Sequence, residues 1–206
     1  MTKSFIVLEG IDGSGSSTQA ELLKNYLLQQ GEKAVLSPEP TTGPIGKLIR
    51  QAMQTDIISM PTSELFDQQM AYLFAADRYY HLFNINDGVF KLIEQDQTHV
   101  ITTRYYFSSL AYNCDSQQQY HLVKNLNSYF PAPDWVIYLD IPVDVSLNRL
   151  IQRSTREIYE TEEKLKKVKQ NFEQIFANYA GKFLKLDGTK PIKNIHQAIL
   201  DAMFKR

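Results

Sequence analysis

One cysteine, Cys114, stands among 206 residues, so no disulfide can close within the chain, and a lone thiol fits a reducing compartment. Charge of neither sign dominates: 22 basic against 23 acidic residues leave a formal net charge of −1. No basic excess therefore marks a nucleic-acid polymer as a partner. No apolar run approaches the ~20 residues that a membrane-spanning helix needs. No internal repeat or low-complexity linker divides the chain, and its length suits a single well-cored domain. The N-terminus enters an apolar run at Phe5 without the basic and apolar regions of a signal peptide. These absences set the expectation of a cytoplasmic protein with one domain over residues 1–206.

What is present concentrates near the N-terminus. Gly10-Ile11-Asp12-Gly13-Ser14-Gly15-Ser16-Ser17-Thr18 nearly spells the phosphate-binding pattern G-x-x-x-x-G-K-[ST], with Ser16 in the lysine position. Phe5-Ile6-Val7-Leu8 before it has the apolar, β-branched character of a strand buried on both faces. Ala20, Leu22, Leu23, Tyr26, Leu27 and Leu28 after it give a largely apolar helix that stops near Gln30-Gly31. Glycines between a strand and a helix N-terminus offer backbone N–H groups and a helix dipole to an anion. A turn shaped by glycine alone is the competing reading.

Short apolar runs recur at residues 34–37, 99–103, 135–140 and 183–186, separated by helical periodicity over 63–83 and 161–179. This alternation predicts a parallel sheet covered by helices on both faces, with ligand at the carboxyl ends of the strands. The polar residues to read are then Asp12, Glu39, Thr103-Arg104 and Asp140. Ser17 is placed to ligate a Mg²⁺ that bridges two phosphates. An acid inside the glycine loop would repel phosphate if it pointed inward, so Asp12 is expected to face across the cleft, unless it is a plain loop acid. Two X-Pro steps, at Pro38 and Pro40, hold Glu39 at a strand end. A helix beginning near Pro44 carries Arg50, which either forks onto a phosphate or is merely solvated.

Four segments occur in order: 5–19, 38–50, Tyr72-Leu73-Phe74-Ala75-Ala76-Asp77-Arg78-Tyr79, and Thr103-Arg104-Tyr105-Tyr106-Phe107-Ser108-Ser109-Leu110-Ala111-Tyr112. Together with 135–140, Asn148-Arg149, 153–160 and Leu186-Asp187-Gly188-Thr189, they resemble the thymidylate kinase family over nearly the whole chain. The resemblance implies a three-layer P-loop nucleoside monophosphate kinase fold of α/β class. Its parallel five-stranded sheet is flanked by helices, with a mobile lid at about residues 150–162. It implies transfer of the ATP γ-phosphoryl group to dTMP with Mg²⁺, a step toward dTTP, in a homodimer built through helices away from the cleft.

Position by position, Phe74 resembles the aromatic that stacks on thymine, and Arg78 the arginine at the base edge. On the residues alone, Phe74 reads as helix packing and Asp77–Arg78 as a solvated pair. Arg50 and Arg104 look like clamps on the acceptor phosphate. Ser108, Ser109 and Asn113 fall where polar groups meet the base, and Tyr112 where an aromatic lies beneath the deoxyribose. Asp12 resembles the acid near the acceptor 3′-hydroxyl, and Glu39 the acid near the reacting centre and magnesium. On the donor side, Gly10, Gly13, Ser14, Gly15, Ser16, Ser17 and Thr18 form the phosphate loop, Arg149 resembles the arginine stacking on adenine, and Thr189-Lys190 borders that base. Arg153 and Arg156 fall in the lid; on the residues alone, 153–169 reads as an exposed, charge-rich helix.

Two departures stand together: Ser16 replaces a lysine, and Thr103-Arg104 replaces an Asp-Arg pair. The loss of one cation and one anion leaves the net charge of the cleft unchanged. With no basic residue in the loop, the catalytic charge is expected from Arg153 or Arg156. Two alternatives stay open: a kinase for another pyrimidine nucleotide, and a catalytically silent nucleotide-binding regulatory protein.

Overall fold

The computed structural model describes residues 3–55, 57–152 and 158–205. Five strands, β1 (Phe5–Glu9), β2 (Ala34–Leu36), β3 (His99–Thr103), β4 (Trp135–Asp140) and β5 (Phe183–Asp187), form one parallel sheet in the order β2-β3-β1-β4-β5. The helices are α1 (Ser16–Gln29), α2 (Pro44–Gln54), α3 (Ser63–Phe83), α4 (Tyr106–Tyr112), α5 (Gln117–Leu126), α6 (Val143–Leu150), α7 (Glu162–Ala177) and α8 (Ile192–Phe204), with a short π-helix (Lys91–Gln95) before β3. The α/β architecture expected from strand–helix alternation is the one observed.

The sheet is apolar on both faces because its strands are buried from both sides. Along β1, Phe5 and Val7 point to one face, where Val100, Val136 and Tyr138 join them against Phe172 and Phe176 of α7. Ile6 and Leu8 point to the other, with Ile101, Ile137 and Leu139, against Leu23 and Leu27 of α1 and Ile195 and Ile199 of α8. Phe172 and Phe176 stack at 5.8 Å with planes 4° apart, and Tyr138 lies 5.3 Å from Phe172.

Capping fixes where helices begin. Thr62 Oγ1 accepts the Leu65 N–H before α3, and Thr161 Oγ1 accepts that of Lys164 before α7. Ser116 and Gln119 form a reciprocal capping box at α5. Helix α1 begins differently, after Gly15 at φ 97°, with no side-chain cap and no acid in its first turn. Its first N–H groups thus remain directed at the glycine loop.

Several boundaries differ from the sequence pattern by one or two residues. Strands β1 and β5 each gain a final acid, since pairing continues through Glu9↔Tyr138 and Asp140↔Asp187. The 161–179 periodicity becomes α7, with Thr161 outside as its cap. Residues 153–157, which include Arg153 and Arg156 and the middle of the expected lid, lie outside the described residues.

Strand β1 sits between β3 and β4, so the strand order reverses across it and a crevice opens above its carboxyl end. Leu8 pairs with Thr103 on one side and with Ile137 on the other. That register brings the glycine loop after β1 beside the loop after β3.

Two leucines on α1 test the packing. Leu23 is fully buried and Leu28 is half exposed. Leu23→Ala is expected to lower the unfolding free energy by about 2–5 kcal/mol, and Leu28→Ala by no more than about 0.5 kcal/mol. Equal losses in urea titrations would contradict the assigned face of α1.

Candidate active site

Two cavities flank the carboxyl end of β1. The first is lined by the glycine loop, including Gly13, Ser14, Gly15, Ser16, Ser17 and Thr18, and by Thr103, Arg149 and Lys190. The second collects Glu39, Arg50, Phe74, Arg78, Ser108, Ser109, Tyr112 and Asn113. Asp12 and Arg104 line both. The two sets of residues singled out on the sequence therefore separate into adjoining compartments with a shared wall.

The loop of the first cavity needs its glycines. Gly13 and Gly15 take φ values of 77° and 97°, a region that residues with a Cβ rarely enter. A Cβ on Gly10 would fall 2.8 Å from the Leu139 carbonyl oxygen. Gly10 is thus a spacer beneath the loop and not part of the cavity wall. Ser14 Oγ is buried without a partner among the described residues. Arg149 donates from Nη1 to the carbonyls of Gly13 at 2.9 Å and Ser14 at 3.4 Å, and from Nη2 to that of Gly188 at 3.0 Å. It braces the loop against the turn after β5. Thr189 does not reach the cavity, because its N–H and hydroxyl both donate to Asp187 Oδ1 at 2.9 and 2.6 Å.

Asp12 turns its carboxylate out of the loop. It pairs with Arg104 Nη2 and accepts the Tyr112 hydroxyl at 2.9 Å, while the Asp12 N–H donates back to that hydroxyl oxygen at 3.1 Å. Arg104 also lies 4.7 Å over the Tyr112 ring. Burial raises the Tyr112 hydroxyl far above its ordinary pKa, with the Arg104 charge opposing, so it serves as a neutral hydrogen-bonding group. Arg104 itself has φ 70°, and such strain costs about 1–3 kcal/mol in a residue with a Cβ.

In the second cavity, Glu39 is buried and both of its oxygens are engaged. Oε2 meets Arg78 Nε at 3.0 Å and Nη2 at 2.7 Å, while Oε1 meets His81 Nδ1 at 3.0 Å. Arg78 further donates to Ser109 Oγ at 3.2 Å and to Asn127 Oδ1. Asp77 and Arg78 are not the solvated pair that the residues alone suggested: both are buried. Asp77 holds Thr41 through its N–H at 2.7 Å and its hydroxyl at 2.6 Å. Arg50 donates to the carbonyls of Pro40, Thr41 and Gly46, which bends it over the loop after β2. Asn113 Nδ2 donates to Tyr159 at 3.2 Å, and its buried Oδ1 has no partner among the described residues.

Some residues expected at the site do other work. Ser108 does not present a free hydroxyl, since it donates to Glu9 at 2.6 Å and accepts from Arg104 at 3.2 Å. Asp140 lines neither cavity; it pairs with Lys169 and Lys185. Their hydrogen bonds outweigh burial and hold its carboxyl below the usual range. Cys114 is buried, which pushes its thiol up to about 12 and leaves it unreactive. Sequence reasoning missed Glu9, Pro40, Met53, Tyr105 and Tyr159. Glu9 carried a signal, a charge closing an apolar strand; Tyr159 carried none, because it enters the cavity from a charge-rich stretch.

Among the described residues, no group of three or more His, Cys, Asp or Glu side chains is placed to hold a metal ion. Ser17 is exposed in the first cavity, whereas Glu39 lines only the second.

Comparison with known proteins identifies the family. The family model described as Thymidylate kinase matches residues 8–199. A protein of Methanococcus aeolicus named "Probable thymidylate kinase" is 34% identical over 98% of this chain and 96% of its own length. One of the same name from Pyrococcus horikoshii is 36% identical over 95% and 93%, and one from Thermococcus kodakarensis 35% identical over 95% of each. Matched by that family model over residues 8–199 and by those relatives over 95–98% of its length, the chain belongs to the thymidylate kinase family.

Proposed function

We propose that the two cavities divide the family's reaction, ATP-dependent phosphorylation of dTMP: the phosphate loop takes ATP and the second cavity takes dTMP. The observation that carries this reading is the shared wall. Asp12 and Arg104 line both cavities, so two phosphates entering from opposite sides meet at one aspartate–arginine pair. Phosphoryl transfer asks a protein mainly for positioning and charge stabilisation, and this junction supplies both.

On the acceptor side, Phe74 stacks on the base, Arg78 and Asn113 read its polar edge, and Arg50 and Arg104 hold the monophosphate. The unpartnered Asn113 Oδ1 is left as an acceptor for a base N–H. Asp12 receives the sugar 3′-hydroxyl, and Tyr112 fills the space a 2′-hydroxyl would need. Ser109 and Glu39 act through Arg78. On the donor side, the uncapped start of α1 and Ser14, Ser16, Ser17 and Thr18 receive the phosphates, with Arg149 and Lys190 bordering the adenosine. Mg²⁺ fits here as an ion held by nucleotide phosphates and the Ser17 hydroxyl, since magnesium sites of this kind use few protein ligands; bound there, it would neutralise charge on the transferred group. Glu39 fits that role less well, both of its oxygens being engaged.

The product, dTDP, lies on the way to dTTP. The single buried thiol supports a cytoplasmic setting. Among the described residues, no helix is long and apolar enough to cross a membrane. A homodimer is supported by α3, where Leu65, Tyr72, Tyr79 and Phe83 are 44%, 46%, 62% and 48% exposed along one helical face. Tyr72→Asp combined with Tyr79→Asp is expected to shift the sedimenting species from dimer to monomer; an unchanged dimer would place the interface elsewhere.

Turnover tests the function directly. With ATP and Mg²⁺, ADP formation is expected to be fastest with dTMP, slower with dUMP and dCMP, and slowest with UMP. Nucleotide binding without turnover on any acceptor would support the silent regulatory alternative, and preference for another pyrimidine the other one.

The missing loop lysine yields a second test. Ser16 and Thr103 line the same cavity, which is where a paired exchange of charges would act. Ser16→Lys and Thr103→Asp are each expected to lower kcat, and the double variant to lose less than the sum of the two by more than about 0.5 kcal/mol. Arg153→Ala or Arg156→Ala is expected to lower kcat by about 10³-fold or more if that arginine acts as the mobile finger. Unchanged kcat in both would move the charge to Lys190.

A further inference from the structure

Among the buried carboxylates, Glu9 is the one that contacts the Arg104 clamp and has no role in the reaction as described. Glu9 ends β1 and is fully buried. Its Oε1 accepts the Tyr105 backbone N–H at 2.8 Å, and its Oε2 accepts the Ser108 hydroxyl at 2.6 Å. Ser108 Oγ accepts in turn from Arg104 Nη1 at 3.2 Å. The Arg104 N–H donates to the carbonyl of Leu8, the residue before Glu9, at 3.0 Å. Arg104, with its left-handed backbone, is thus held from both ends: through the peptide that follows it and through its own guanidinium.

We propose that Glu9 is a positioning residue for the acceptor clamp, fixing the strained Arg104 backbone directly and the Arg104 guanidinium through the Ser108 hydroxyl. This inference rests on the reading of the second cavity as the dTMP site.

The arrangement depends on the charge of Glu9. An ionised carboxylate accepts from Ser108, so the hydroxyl donates inward and leaves a lone pair for Arg104. Once protonated, the carboxyl no longer holds the hydroxyl in that orientation, and Arg104 loses a neighbouring negative charge. Burial raises the Glu9 carboxyl to about 7, opposed by the Ser108 hydroxyl, Arg104, the Tyr105 N–H and Arg78. The charged and titratable groups that interact with it are Arg104 on the loop after β3, Tyr106 on α4, Tyr138 on β4 and Arg78 on α3. The clamp is therefore complete above about pH 7 and is released as pH falls through that value. A carboxylate acting only through its field would do the opposite: its neutralisation would tighten the binding of an anion. The sign of the effect separates the two.

The test is steady-state kinetics between pH 5.5 and 9 at saturating ATP, with dTMP varied, for the wild type and Glu9→Gln. At pH 8 the Gln variant is expected to raise KM for dTMP at least about tenfold, roughly the loss of one charge-assisted hydrogen bond, with a smaller change in kcat. The wild-type kcat/KM should fall through two inflections, one near 7 from Glu9 and one near 6 from the phosphate of dTMP; the variant should keep only the second. Ser108→Ala severs the link to Arg104 and removes a hydrogen bond that stabilises the Glu9 anion. It should raise KM and move the Glu9 inflection to higher pH. Should Glu9→Gln fail to fold, ¹³C-carboxylate spectra of the unliganded wild type and Ser108→Ala still report the titration, as a glutamate resonance with a midpoint near 7 that moves up in Ser108→Ala. Parallel profiles in wild type and variant, a variant KM at or below the wild-type value, or no glutamate resonance titrating above the usual range would overturn the proposal. A wild type that binds no nucleoside monophosphate at any pH would overturn the acceptor reading, while the carboxylate spectra would still report the Glu9 titration.

Discussion

The Arg104–Asp12 pair is the contact on which the rest of the site depends, because it spans the gap between the loop after β1 and the loop after β3. Two nucleotides that exchange a phosphoryl group must bring negative charges together. At 4 Å, two unit charges repel by about 4 kcal/mol at an effective dielectric of 20. On the proposed reading, the Arg104 guanidinium, which lines both compartments, lowers that cost for both partners, and its pairing with Asp12 holds it there. Tyr112 completes the contact by donating to the second Asp12 oxygen and lying against the guanidinium. The sheet explains why the pair exists at all: only at the central strand do the loops from β1 and β3 emerge side by side.

This view changes what the missing lysine means. In a loop that relied on one cation, replacement by Ser16 would leave the phosphates facing backbone N–H groups alone. Here Arg104, Arg149 and Lys190 already line the cavity. Arg149 uses three hydrogen bonds to hold loop carbonyls in place, so it contributes charge while its donors are occupied by protein. Arg104 is committed to Asp12 and Ser108. The loop itself carries no cation, and the two arginines that line its cavity are held by protein partners.

Much of this was legible before any coordinates. Strand–helix alternation gave the parallel sheet, since a strand buried on both faces must read as an apolar run, as Phe5-Ile6-Val7-Leu8 does. The rule that ligands gather at strand carboxyl ends picked out Asp12, Glu39, Thr103, Arg104 and Asp140, of which all but Asp140 line one of the two cavities. What stayed hidden was direction. Nothing in the sequence shows that Ser108 faces Glu9, that Thr189 folds back on Asp187, or that Asp140 turns toward Lys169 and Lys185. For Ser108 and Asp140 the outcome depends on register and on partners distant along the chain, whereas Thr189 turns back on a residue two positions before it. Tyr159 illustrates the limit: it reaches the second cavity by packing against Tyr112 and Phe66, contacts that tertiary folding alone creates.

The polar network around the second cavity is costly to build, and that cost bears on how the site works. Arg78, Glu39, His81 and Asp77 are all nearly or fully buried, and buried ions repay their desolvation only when their geometry is well satisfied. Here it is: Arg78 meets Glu39, Ser109 and Asn127, His81 bridges Glu39 and Ser37, and Asp77 fixes Thr41. An apolar wall of the same shape would be at least as stable. A polar network is worth its cost where side chains must hold one orientation before the ligand arrives, because fixed dipoles spare the reorganisation that solvent would require. Glu9 extends the same logic to the junction itself. Its carboxyl is raised by burial behind the wall, yet it accepts the N–H of the peptide that follows Arg104, so on the proposed reading the site spends stability where phosphate geometry matters most.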